Sequence, residues 1–149
     1  MIPRGATVCF IIGVVGAGML GSYLYQVSTH VPTLVYTNGP SLTIIPDKIN
    51  YLLNEPVHIR IINSGTTRLQ FEDSSFGLKV RGLDGTVIFV PPSGKSGAFL
   101  DPHEEKVFVW NQTRTGGAKV FEGRYVIDAN TLPVGGEELK KSVTINIFQ

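Results

Sequence analysis

The sequence predicts an all-β domain, an antiparallel β-sandwich of about seven or eight strands, preceded by one N-terminal transmembrane helix. Three observations predict it. Residues 6–25, ATVCFIIGVVGAGMLGSYLY, carry no charge. Beyond residue 30 no stretch keeps a helical period, and short apolar–polar alternations take over. Gly, Pro and Asn punctuate those alternations, in keeping with 17 Gly and 9 Pro among 149 residues.

The N-terminal run comes first. Twenty residues at 1.5 Å rise span roughly 30 Å, the thickness of the hydrocarbon core, and only a helix satisfies its own backbone there. Arg4 lies on the short side, so the positive-inside rule places the N-terminus in the cytoplasm and the rest outside. The expectation is a signal anchor over residues 1–25, single-pass in the cell membrane. Competing processing is less well supported. Cleavage near Gly16-Ala17-Gly18 leaves an apolar region of only about ten residues. ATVC lacks the leucine-type lipobox that lipidation of Cys9 requires, and a pilin-type leader cut after Gly5 places Phe10 where pilins carry Glu. Within the helix Gly5, Cys9, Gly13, Ala17 and Gly21 recur every four residues, a small-residue stripe along which membrane helices approach closely. The stripe implies transmembrane helices of a protein complex as partners.

Residues 26–40 have no clean period, end in Asn-Gly-Pro, and read as a stalk. Residues 41–149 read as the extracytoplasmic domain. SLTIIP (41–46) is a short first strand. PVHIRIIN (56–63) alternates Val57, Ile59 and Ile61 inward with His58 and Arg60 outward. Strands are further predicted at 68–73, 77–82 and 86–90, the last two joined by a Leu83-Asp84-Gly85 turn, then at 105–111, 123–129 and 138–148. The segment 91–104, PPSGKSGAFLDPHE, is the longest predicted loop and therefore a functional candidate.

Composition narrows the chemistry. With 13 basic and 12 acidic residues scattered singly and a net charge of +1, no phosphate-binding face is encoded, so nucleic acid is not an expected partner. The one cysteine, Cys9, sits in the apolar run, which leaves no disulfide framework and no cysteine-based metal site. Such a domain is ordinary outside the cytoplasm of bacteria and archaea. His30, His58 and His103 are dispersed, and no nucleophile has a base at a recognisable spacing. The sequence therefore predicts no enzyme activity, no cofactor, no metal and no small-molecule substrate.

The stretch FVWNQTRTGGAKVFEGRYVIDAN (108–130) is the densest in signals. Phe108 and Trp110 alternate with Val107 and Val109, so one pair supplies aromatic area to the core. Gly116-Gly117 permits a turn, Gly123 a tight start to the next strand, and Tyr125 stands where a hydroxyl bonds back to a nearby carbonyl. Phe108, Trp110, Gly123 and Tyr125 are thus fold-determining candidates. Asn111-Gln112-Thr113 is an N-glycosylation sequon, making Asn111 a candidate modification site.

Five motifs occur in order: Pro-Asp-Lys-x-x-Tyr-x-x-x-Glu-Pro-Val (46–57), Ile-x-Asn-Ser-Gly (61–65), Phe-x-Asp-Ser-Ser-Phe-Gly-Leu (71–78), Leu-Asp-Pro-x-Glu-x-Lys-x-Phe-x-Trp-x-Gln-Thr (100–113) and Gly-x-Tyr (123–125). Over roughly residues 42–130 they resemble the BsuPI family, immunoglobulin-like domains named for an intracellular proteinase inhibitor of bacilli, with similar modules in secreted and membrane-anchored archaeal proteins. The resemblance implies an immunoglobulin-like sandwich. The leading functional expectation is a non-catalytic accessory or assembly subunit of a membrane complex or cell-envelope interaction module, with an extracytoplasmic protein partner. Two alternatives are an extracytoplasmic proteinase inhibitor acting through 91–104 and a pilin-like filament subunit.

Overall fold

The computed structural model describes residues 32–94 and 96–149. The predicted anchor, its stripe of Gly5, Cys9, Gly13, Ala17 and Gly21, and residues 26–31 of the predicted stalk lie outside the described residues. Among the described residues no helix is long and apolar enough to cross a membrane.

The described chain is all-β. Its strands are β1 (Leu42–Pro46), β2 (Asn50–Leu52), β3 (Val57–Asn63), β4 (Leu69–Asp73), β5 (Lys79–Gly82), β6 (Val87–Phe89), β7 (Ser96–Leu100), β8 (Glu105–Trp110), β9 (Gly123–Asn130) and β10 (Lys140–Phe148). They form a three-stranded sheet β1-β3-β8, a five-stranded sheet β2-β10-β9-β5-β6 and a two-stranded β4-β7 pair. One apolar core joins the inner faces, from Ile44, Ile59 and Ile61 on the first sheet to Val80, Ile127, Ile145 and Ile147 on the second, with Leu69, Phe71 and Leu100 from the pair. Each such side chain contributes about 1.5–3 kcal/mol through removal from water. The alternation in β3 places Val57, Ile59 and Ile61 in that core and leaves His58 exposed.

Three features depart from the sequence reading. There are ten strands among the described residues rather than seven or eight, because β2 and β7 were not foreseen. β2, only Asn-Tyr-Leu, is too short to display a period. β7 lies inside the predicted long loop 91–104, where Gly97, at φ +75°, disguises a strand as a turn. The five-stranded sheet is also mixed rather than purely antiparallel, since β2 runs parallel to β10 with Phe148 opposite Leu52.

Residues 37–40, the end of the predicted stalk, are pinned to the turn after β3. Thr37 N donates to Ser64 O at 2.9 Å and Thr66 N to Gly39 O at 2.9 Å. A Cβ on Gly65 would stand 2.1 Å from the Gly39 carbonyl oxygen, so only glycine admits this contact.

Candidate functional site

The β domain has two ends. The chain comes in at the end formed by residues 37–40, 64–66, 101–104 and 131–139, where Tyr36 stacks on His103 with ring centroids 4.5 Å apart. The opposite end gathers the β2–β3 turn, the 111–122 connection and the C-terminal end of β10, because Gln112 and Leu53 bond across it and Gly123 pairs with Ile147.

The 111–122 connection is built outward from Trp110. This side chain is 1% exposed, stacks against Phe89, meets Tyr125 edge-on at 5.6 Å, and donates Nε1–H to Thr113 O at 2.8 Å. Gln112 then turns inward at φ +53° and is fully enclosed. Its Nε2 donates to Leu52 O and Glu55 O, both at 2.8 Å, and its Oε1 accepts from Asn54 N at 2.7 Å. One amide thereby uses two donors and an acceptor to latch the connection to the β2–β3 turn. Beyond it Thr113 pairs with Lys119 around Gly117, at φ +87°, and Val120 N returns to Gln112 O at 3.0 Å. The turn is closed by Tyr125, whose hydroxyl donates to Phe121 O at 2.7 Å. Burial pushes the Tyr125 pKa up, which keeps this donor protonated.

What the latch presents is apolar. Phe121 is 76% exposed although its own carbonyl is fixed by Tyr125. Leu52 and Phe148, opposite each other on β2 and β10, are 63% and 51% exposed at the same end. Three large apolar side chains are therefore exposed toward one end of the domain, Leu52 and Phe148 side by side and Phe121 on the hydrogen-bonded 111–122 connection. Ordered apolar surface of this kind suits docking, because little side-chain and loop entropy remains to be lost.

A second, polar cluster lies on the outer face of the five-stranded sheet. Arg81 forms an ion pair with buried Asp128, and Ser142 Oγ lies 2.5 Å from the other carboxylate oxygen. Burial alone would raise the Asp128 pKa, but Arg81 and Ser142 outweigh it and leave the carboxyl below its ordinary value. Lys79, Asn130, Glu138 and Lys140 line the surrounding cleft of about 260 Å³. Held by Arg81 and Ser142, the Asp128 carboxylate ties β5, β9 and β10 together.

The sequence-selected residues divide accordingly. Trp110 is buried, Phe108 packs half-buried against the core and edge-on to Phe76 at 6.0 Å, and Gly123 opens β9 at φ +149°. Asn111 is exposed at the end of β8 beside the latch. His58 and His103 stand far apart in the fold, and among the described residues no group of three His, Cys, Asp or Glu converges on a metal position. The sequence marks Gln112 as part of a sequon and of the 100–113 motif but not as a latch, and an isolated Phe between Val120 and Glu122 carries no period that marks it as exposed. Among known proteins, no family profile and no curated sequence matches the chain.

Proposed function

We propose that the chain is a non-catalytic, single-pass membrane protein whose extracytoplasmic immunoglobulin-like domain docks a protein partner through the Phe121 end. The observation that carries this reading is the exposure of Phe121 on a backbone held by the Tyr125 hydroxyl and the Gln112 latch. Buried aromatic anchors supply most of the energy of protein interfaces. The immunoglobulin-like assignment is supported by strand order: β1-β3-β8 corresponds to A-B-E and β10-β9-β5 to G-F-C. Tyr125, third residue of the strand matching F and bonded four residues upstream, corresponds to a tyrosine corner. The BsuPI-like motifs and the uncharged run 6–25 support the membership and the anchor respectively.

The test is purification of the full chain from its own membranes in mild detergent, beside Phe121→Asp. A stoichiometric companion that co-purifies with the parent chain and is lost with F121D, while Trp110 fluorescence stays native, supports the reading. A companion retained by F121D moves docking elsewhere. No companion at all overturns the accessory-subunit reading.

A further inference from the structure

β8 is an edge strand, open along its whole length. Asp47 N donates to His58 O on the β1 side of β3, and Asn63 N donates to Glu104 O on the β8 side. Odd-numbered residues of β3 therefore face β8, and the register Val57↔Trp110, Ile59↔Phe108, Ile61↔Lys106 turns the even-numbered residues of β8 back toward β3. The N–H and C=O groups of Glu105, Val107 and Val109 point away from the sheet, with no backbone partner among the described residues. Val107 and Val109 are each 48% exposed.

The other edges are shorter, interrupted or partly covered. β2 and β6 have three residues each, β1 ends in Pro46, β7 is interrupted by Gly97 at φ +75°, the Gln70 carbonyl on β4 accepts from Leu132 N, and the part of β10 beyond β2 opens with Lys140-Lys141 and packs beside β1. β8, Glu-Lys-Val-Phe-Val-Trp, has six residues without Pro, Gly or bulge, and four of them are strong strand formers.

We propose that β8 pairs antiparallel with β8 of a second copy, with Val107 opposite Val107 on the two-fold axis. Five symmetric registers, centred on residues 105 to 109, let outward-pointing groups bond each other. Centring on Glu105 or Lys106 opposes like charges, and centring on Phe108 or Val109 carries the Glu105 end of β8 past the partner strand. Centring on Val107 places Glu105 opposite Val109 at both ends and Lys106 opposite Phe108, so no like charges face each other and the valines form one apolar row. Lys106, which on a lone edge is an inward-pointing guard, then lies against an aromatic ring of the other copy. The two three-stranded sheets become one of six strands. The contact is isologous, so it consumes both edges and closes at two copies instead of growing into a fibre.

The experiment uses the full chain in native membranes with Cys9→Ser, which leaves no other thiol. In the hydrogen-bonded pair centred on Val107 the Cα atoms stand about 5.5 Å apart, within the roughly 4.4–6.8 Å of a disulfide. Under mild oxidation Val107→Cys is expected to form a covalent dimer at least tenfold more than Thr144→Cys, an exposed control on the other sheet. Glu105→Cys and Val109→Cys are expected to link to each other when co-expressed and not to themselves. Val107→Cys linking no better than the control overturns the proposal. Equal self-linkage at Glu105 or Val109 overturns the register, and linkage of Val107→Cys to a different protein overturns the second copy as the occupant. Were the Val107→Cys chain to lose its native Trp110 fluorescence, sedimentation in detergent decides: the parent chain should be dimeric and Val107→Lys monomeric, and the same mass for both refutes the pairing.

Discussion

Replacing Gln112 by Ala tests whether the latch organises the far end of the domain. The substitution removes three hydrogen bonds, from Nε2 to Leu52 O and Glu55 O and from Asn54 N to Oε1. At about 0.5–1.5 kcal/mol each, with a further cost for any group left buried and unpaired, the loss sums to about 2–4 kcal/mol. That is a large share of the roughly 5–15 kcal/mol typical of a domain. Trp110 is the only tryptophan, 1% exposed and bonded to Thr113 next to Gln112, so intrinsic fluorescence during urea denaturation reads the core directly. Gln112→Glu sharpens the test. It keeps the shape and one acceptor but turns a carboxylate oxygen toward two carbonyls, and should destabilise at least as much as Q112A. A Q112A midpoint within about 0.5 kcal/mol of the parent, the scatter of ordinary surface changes, refutes the latch. So does Q112E proving milder than Q112A.

Three further outcomes follow from the same geometry. Asp128 titrates below its ordinary value in the fold; its contribution is therefore complete above the unfolded carboxyl pKa of about 3.9 and is lost as pH falls through the lower folded value. Stability measured from pH 5 downward should fall less steeply in Asp128→Asn, and an unchanged slope refutes the assignment. Gly77→Ala places a Cβ 2.2 Å from Asn130 O at φ +65° and should cost more than about 3 kcal/mol, read as the shift in urea midpoint. Tyr125→Phe removes only the bond to Phe121 O, expected at about 1 kcal/mol; hydrogen exchange should then quicken at residues 113–121 more than in β9 or β10.

The alternating strands were legible because a half-buried strand writes its burial directly into the sequence, as β3 does with Val57, Ile59 and Ile61. Three-residue β2 and glycine-broken β7 write no such pattern. The motifs behind the family resemblance prove to be hydrogen-bonding devices. Asp47 accepts from the Tyr51 hydroxyl and from His58 N. Asn63, fully buried, donates to Thr67 O and Leu100 O and accepts from Gly65 N. Gln112 closes the third network. Polar residues of this kind recur at fixed spacing because each must meet particular backbone groups, and that requirement specifies a fold far more tightly than it specifies a partner. The candidate surface was illegible for the converse reason. Phe121, Leu52 and Phe148 are separated by 69 and 27 positions in the chain, and only the parallel β2–β10 pairing and the latch bring them to one end.

The Phe121 end and the β8 edge make separable demands on the assembly. A two-fold axis through Val107 runs perpendicular to the three-stranded sheet, so the two copies point their Phe121 ends in opposite directions. Because the two β8 strands overlap fully, the dimer then offers two docking ends about one strand length apart along the strands, roughly 20–30 Å at 3.3 Å per residue, each free to engage its own partner. Val107→Lys should therefore halve the mass of the purified complex while leaving the ratio of chain to companion unchanged, and F121D should strip the companion while leaving the dimer intact. Loss of both properties from either substitution alone would show that one surface serves both roles.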